Sequence, residues 1–123
     1  MKKIDWKVIA RILETMPNLI AAWVFGSAKD GYVREGGELD IGVLFESFPS
    51  LDERAILSAQ LQEAFDVEDI DLLVLNAAGP IVRFEAVNGR AVFCRDKNRR
   101  AEFVSLTARE YEDEMAFLHK SLA

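Results

Sequence analysis

The sequence has few cysteines, histidines and prolines. Its 123 residues include three prolines, one cysteine (Cys94) and one histidine (His119). A single cysteine excludes an intramolecular disulfide and is typical of a reducing compartment, so we expect a cytoplasmic location. We expect Cys94 to be a small core residue. His119 lies among charged residues near the C-terminus, which favours a surface position over a catalytic role.

The sequence also lacks a long apolar run. The longest one, residues 19–25, is far shorter than the roughly 20 residues with which a helix spans a bilayer. The N-terminal segment MKKIDWKVIARIL has no uninterrupted apolar stretch, so we expect an amphipathic helix there and no signal peptide. No membrane association is therefore expected.

Positive charge is scarce as well. Fifteen Lys and Arg residues against 21 Asp and Glu residues give a net charge of −6. Binding along a nucleic-acid backbone needs clustered basic residues, so we expect no direct nucleic-acid binding. A single nucleotide in a locally positive pocket remains compatible with this charge.

The hydrophobic pattern predicts one globular domain over residues 1–123. Half of the residues are hydrophobic and 29% are charged, which is ordinary for a globular protein. The apolar spacing predicts helices at 5–16, 51–65, 80–88 and 97–123, and strands at 19–25, 39–45, 70–75 and 90–95. This order predicts an α/β (α+β) fold, with a mixed sheet of about four strands flanked by helices.

Local signals mark several helix ends. Asp5 is the expected N-cap of the first helix, and either Ser50 or Asp52 is expected to cap the second. Pro80 near the start and Gly89 just past the end bracket the third helix.

Gly26 and Ser27 stand where the first predicted strand ends. A glycine lets the backbone approach a phosphate closely, because it has no Cβ. A serine at a turn adds a hydroxyl, and the turn can aim backbone N–H groups at an anion. Gly-Ser pairs are also common in turns of many folds, so the pair alone does not define a binding site.

Three carboxylates are candidates for a metal site. Glu38 and Asp40 are one residue apart at the start of a strand, so their side chains point to the same face and repel each other unless a cation lies between them. Two acids on a solvent-exposed strand end are the simpler alternative. Asp71 opens the next predicted strand among apolar residues, where we expect it to be buried and to need a partner. Asp69 is the competing candidate on the same face.

If the second and third strands are neighbours, these acids gather at one edge of the sheet beside the Gly-Ser turn. Oxygen ligands suit Mg²⁺, which bridges carboxylates to phosphates. The pattern therefore predicts metal-assisted nucleotidyl transfer.

The run GSAKDGYVREGGELDIGVLF resembles the motif of the DNA polymerase β-like nucleotidyltransferases, which is Gly-Ser, ten residues, Asp-x-Asp and an apolar stretch. The segments DIDLLVLN and AAGPIVRFEAVNGRAVFCRD resemble the rest of the minimal nucleotidyltransferase domain. The resemblance is closest to the stand-alone MntA-type antitoxins of HEPN/MNT toxin–antitoxin systems. Their usual partner is a HEPN-domain ribonuclease toxin.

The resemblance implies a role for six residues. Glu38, Asp40 and Asp71 would be the catalytic, metal-holding acids, with Glu38 in the place of the family's first Asp. The nucleotide-binding residues would be Gly26, Ser27 and Lys29, the last because Asp30 stands where relatives often carry arginine. An alternative alignment makes Asp40 the first acid and Gly42 an empty second one, but it needs two extra loop residues.

The implied activity is transfer of AMP from Mg-ATP, with one or two divalent ions, to a tyrosine hydroxyl of a HEPN toxin, which would make the chain an antitoxin. The alternative is a catalytically reduced binding module that neutralises its partner by docking. Transfer to a small molecule such as an antibiotic is a third, weaker reading. A chain this small lacks the additional domain of larger relatives, so we expect a partner chain or a homodimer to complete it.

Overall fold

The computed structural model describes residues 1–67 and 69–122. The helices are α1 (Trp6–Glu14), α2 (Leu51–Phe65), α3 (Pro80–Val87) and α4 (Lys97–Leu122). The strands are β1 (Lys2–Lys3), β2 (Leu19–Phe25), β3 (Tyr32–Val33), β4 (Leu39–Phe45), β5 (Ile70–Val74) and β6 (Arg90–Cys94), and a short 3-10 helix covers Gly26–Ala28. All predicted elements are present with ends within two residues of the prediction. The predicted last residue of the final helix, Ala123, lies outside the described residues.

Four strands form the central sheet in the order β5-β4-β2-β6. β2 is antiparallel to both β4 and β6, whereas β4 and β5 are parallel, so the predicted mixed sheet is confirmed. β1 and β3 form a separate antiparallel pair that the sequence did not predict. Strands of two residues are too short to show a hydrophobic period.

Helices cover both faces of the sheet. On one face, α1 and α2 contribute Ile9, Leu13, Leu57 and Leu61 to the larger core. On the other face, α3 and α4 pack over Trp23 and neighbouring residues in a second core. All seven residues of β2 are buried, as its continuous apolar run predicts for a strand covered on both sides.

The helix caps follow the local signals. The Asp5 side chain accepts a hydrogen bond from the Lys7 N–H at 3.0 Å. Ser50, and not Asp52, caps α2, because its hydroxyl accepts from the Glu53 N–H while the Glu53 carboxylate accepts from the Ser50 N–H, both at 3.0 Å. This reciprocal pair satisfies two N–H groups that the first turn of a helix leaves free.

Not every apolar residue lies in the core. Phe48 and Phe117 are 58% and 66% exposed. Cys94 is only half-buried, and His119 is exposed as expected. Within the described ranges, no helix combines the length and the apolar character needed to cross a membrane.

Candidate active site

The turn after β2 brings the backbone against a carboxylate. Gly26 begins the 3-10 helix and has φ +70°, in the left-handed region that favours glycine. A Cβ at this position would overlap Asp40 Oδ2. Two of the predicted site residues, Gly26 and Asp40, are therefore in direct contact, and the contact itself requires a glycine.

The three predicted acids meet at the edge of the sheet. Asp40 lies opposite Asp71 in the parallel register of β4 and β5, and Glu38 immediately precedes β4. One carboxylate oxygen of each residue lies within 4.8 Å of those of the other two. The predicted clustering of Glu38, Asp40 and Asp71 is thus present, and their catalytic role stays a prediction.

Asp71 is exposed, which corrects the expectation that it is buried. β5 is an edge strand of the sheet, so its side chains are less covered than the apolar run suggests. Asp69 does not join the three acids. Its backbone carbonyl accepts a hydrogen bond from the Leu39 N–H at 3.0 Å, and it lines a cleft of about 270 Å³ together with Glu38, Ile70 and Asp71.

Gly42, the empty position of the alternative alignment, is tightly packed. A Cβ at Gly42 would lie 3.1 Å from Ala86 Cβ and 3.3 Å from the methyl carbons of Leu75. This position therefore lies against α3 and has little room for a larger side chain. Glu38 and Asp40 lie together with Asp71 in the acidic cluster, and their alignment with the motif stays a prediction.

The acids repel one another electrostatically. The pKa of Asp40 is raised above its ordinary value mainly by burial, and then by the negative charges of Asp71 and Glu38. Glu85 of α3 raises the pKa of Asp40 further. Sequence reasoning missed Glu85, since no spacing signal connects it to the motif and only the packing of α3 brings it near.

The donor set fits a hard divalent cation. Carboxylate oxygens are the ligands that Mg²⁺ prefers, and these three are close enough for one ion to contact them all. Throughout residues 1–67 and 69–122 no other group of three acidic, cysteine or histidine side chains has this geometry. A cation there would relieve the repulsion that raises the pKa of Asp40.

The loop after the turn carries a further cation that the sequence did not reveal. Arg34 donates from Nη1 to the Ser27 carbonyl at 3.0 Å and from Nη2 to Asp30 at 2.7 Å. The hydrogen bond from Arg34 is the main reason that the pKa of Asp30 is lowered. Asp30 therefore faces an arginine, while Ser27 and Lys29 lie exposed in the same turn. Folding of the intervening loop brings Arg34 to Ser27, so the linear motif contains no sign of it.

The sequence matches a family model described as "Polymerase beta, Nucleotidyltransferase" over residues 7–98. A toxin–antitoxin structure with AMP-PNP has a similar fold, with a TM-score of 0.78 and 22% identity over 98% of this chain and 100% of the other. A mutant of the toxin–antitoxin MntA-HpeT gives a TM-score of 0.77 at 22% identity over 98% and 100% of the two chains. The tri-AMPylated Shewanella oneidensis HEPN toxin in complex with MNT antitoxin gives 0.71 at 22% identity over 96% of each chain. Among curated proteins none matches. At these identities the likeness to solved structures establishes the fold alone.

Proposed function

The chain belongs to the polymerase β nucleotidyltransferase family, and from this premise we propose that it transfers AMP from ATP to a tyrosine hydroxyl of a HEPN-domain toxin and so acts as its antitoxin. The observation that carries the proposal is the cluster of Glu38, Asp40 and Asp71 beside Gly26. Similar folds in a toxin–antitoxin with AMP-PNP and in a complex with an AMPylated HEPN toxin support the choice of donor and acceptor. We propose the cytoplasm as the location, in agreement with the single cysteine.

The acids and the turn have separate tasks in this reaction. Glu38, Asp40 and Asp71 would hold Mg²⁺, which when bound neutralises phosphate charge and orients the triphosphate. The backbone N–H groups of the Gly26 turn and the Lys29 ammonium would hold the phosphates. A carboxylate oxygen of Asp71 takes the proton of the attacking hydroxyl, whose oxygen bonds to the α-phosphorus while the bond to pyrophosphate breaks.

Glu38 is the departure from the family's Asp-x-Asp. Its side chain is one methylene longer, which displaces a carboxylate by about 1.5 Å if nothing else adjusts. Its oxygen lies within 4.8 Å of oxygens of the other two acids, so the longer side chain still reaches the cluster. A misplacement of about 1 Å can cost roughly 100-fold in rate, so the natural site would be slower than one with aspartate.

The same departure favours a second candidate function. A chain whose metal site is weakened by Glu38 could neutralise a HEPN toxin by docking alone, as a partner-binding module. The two functions differ in whether AMP is transferred at all.

The decisive experiment incubates the chain and Mg²⁺ with ATP radiolabelled on the α-phosphate and with a HEPN-domain toxin as the acceptor. Label on the toxin that is lost with Asp40→Asn and kept with Asp52→Asn, an exposed acid on α2, supports transfer. A stable complex without label at any divalent cation would leave only docking. With Glu38→Asp we expect faster labelling, and an unchanged rate would mean that the extra methylene does not limit the reaction.

A further inference from the structure

Arg34 links the Gly26 turn, residues 26–29, to the segment that carries the acids. Its side chain donates to the Ser27 carbonyl at 3.0 Å, and its own carbonyl accepts a hydrogen bond from the Gly37 N–H at 2.8 Å. Gly37 immediately precedes Glu38, the first of the three acids. One residue therefore bonds to both parts of the candidate site, the turn on one side and the acid-bearing segment on the other.

The backbone of Arg34 is held in place. Val33, the residue before it, is buried in the larger core. The hydrogen bond from Gly37 closes a tight turn after it, and a Cβ at Gly37 would lie 2.9 Å from the Arg34 carbonyl oxygen. Core packing on one side and a close backbone contact on the other thus give the Arg34 side chain a fixed base.

The side chain of Arg34 holds a part of the turn that the turn itself does not. Backbone N–H groups from within residues 26–31 donate to the carbonyls of Gly26 and Ala28. In the part of the chain that the structure describes, Arg34 is the donor that the Ser27 carbonyl has. Gly26 has no Cβ and restrains the adjoining backbone little. Without Arg34, the peptide after Ser27 would be the least restrained part of the turn.

Asp30 completes this arrangement. Arg34 Nη2 donates to Asp30 Oδ2 at 2.7 Å, and Asp30 Oδ1 accepts from the Tyr32 N–H at 3.1 Å. Both terminal nitrogens of Arg34 are therefore bonded to the chain itself. This is the geometry of a residue that positions the turn, whereas a phosphate ligand would direct its nitrogens outward. We call the two side chains the Arg34–Asp30 clamp.

We propose that Arg34 is a positioning residue for the proposed transfer, because its clamp sets the Gly26 turn at a fixed distance from the acidic cluster. The inference rests on the proposed nucleotidyl transfer and adds a residue outside the sequence motif that governs its rate. The side chains of Arg34 and Asp30 are 52% and 48% exposed, so their ion pair contributes little to folding stability. Loss of the clamp should therefore affect the reaction far more than the fold.

The rate at which ATP radiolabelled on the α-phosphate labels a HEPN-domain toxin, measured against ATP concentration, tests the proposal. Arg34→Met keeps the length of the side chain and removes its donors. A displacement of about 1 Å costs roughly 100-fold in rate, so kcat should fall by about 10- to 100-fold while KM for ATP changes by less than about threefold. Tm should fall by less than about 4 °C. Arg11→Met, at an exposed arginine of α1, is the matched control and should label as the natural chain does.

A direct action of the Arg34 charge on the phosphates is the competing explanation, and Asp30→Ala separates the two. This variant breaks the clamp and frees the guanidinium. If Arg34 positions the turn, Asp30→Ala should lower kcat, and the double variant should be no slower than Arg34→Met, since the two residues act as one unit. A lower KM for ATP with unchanged kcat in Asp30→Ala would assign Arg34 to the phosphates and overturn the inference.

Arg34→Lys guards against a folding defect in Arg34→Met. It keeps the positive charge, but its single nitrogen cannot reproduce the fork that reaches Ser27 and Asp30 together. We expect it to stay at least about fivefold slower than the natural chain. Labelling at the full rate would show that charge alone suffices and would contradict the positioning role.

Failure of this inference is distinguishable from failure of the proposed function. If the natural chain does not label the toxin at all, the proposed transfer fails, and the inference about its rate fails with it. If the natural chain labels the toxin and Arg34→Met does so with the same kcat, Arg34 does not position the turn and the proposed transfer stands.

Discussion

Replacing Gly26 with alanine should disable the site. The accompanying loss of folding stability should be little greater than that caused by alanine at another glycine with a left-handed backbone conformation. The new Cβ would overlap Asp40 Oδ2, whereas Asp40 Cγ and Cβ stay at 3.4 and 3.7 Å. Only the end of the side chain has to move, and ordinary contact requires a withdrawal of about 1 Å. A displacement of that size at a reacting group costs roughly 100-fold in rate.

Gly36→Ala is the matched control. Gly36 has φ +73°, close to the +70° of Gly26, but a Cβ there would have nothing within 4 Å. Both variants therefore lose about 1–2 kcal/mol from left-handed backbone strain. A chain of 123 residues has an unfolding entropy near 260 cal/mol/K, so each should lower Tm by about 4–8 °C.

The assay is thermal unfolding with and without Mg²⁺, together with the rate of toxin labelling. A cation that binds the folded chain raises Tm according to its affinity. We expect this rise, and the labelling, to persist in Gly36→Ala and to be lost in Gly26→Ala. If both variants lost the Mg²⁺-dependent rise in Tm and the labelling equally, or if Gly26→Ala kept them, the argument that Asp40 has no room for a Cβ at position 26 would be refuted.

Three further predictions concern stability. Without divalent cations, Asp40→Asn should stabilise the chain at neutral pH by about 1–2 kcal/mol, because two carboxylates within 4.8 Å each repel Asp40 by about 0.9 kcal/mol or more at the dielectric constant of water. Burial and these charges raise the pKa of Asp40, so the gain in stability should shrink as the pH falls toward about 4. Thermal unfolding against pH checks this, with the exposed Asp113→Asn as control, and a gain that is independent of pH would contradict it. Thr107→Val should be neutral or stabilising by up to about 1 kcal/mol in urea unfolding, because this hydroxyl is buried without a hydrogen-bond partner in the described ranges, and a loss above 1 kcal/mol would reveal a partner. Ser50→Ala should cost about 0.5–2 kcal/mol in the same assay through loss of the α2 cap, and Ser58→Ala, near the middle of α2, should cost less.

What the sequence predicted well is local. The apolar run of β2, the caps at Asp5 and Ser50 and the spacing from Gly26 to Asp40 all depend on residues close together in the chain. Assembly of the acids required one assumption, that β4 and β5 are neighbours, and the parallel register of Asp40 and Asp71 fulfils it. The expected burial of Asp71 was wrong because an apolar run does not reveal whether a strand lies at the edge of a sheet.

What the sequence could not predict depends on contacts between distant residues. Phe84 and Tyr111 stack only because α3 and α4 pack side by side. The hydrophobic periodicity of the sequence does not relate these two positions. The same is true of Glu85 beside Asp40 and of Arg34 beside Ser27. These contacts are set by the tertiary packing, and the spacing of residues in a short motif does not reveal them.

β2 pairs with strands that lie at very different distances along the chain. Its partner residues in β4 are as near as Phe25 and Asp40, whereas Ala21 lies opposite Cys94 of β6. Closing a loop of about 15 residues costs less chain entropy than closing one of about 70, so we expect the β2–β4 hairpin to form before β6 docks. During synthesis or refolding, the Gly26 turn, Glu38 and Asp40 would then be in place before α4 packs against the sheet. Pulsed hydrogen exchange would record this order as protection of β4 amides ahead of those in β6.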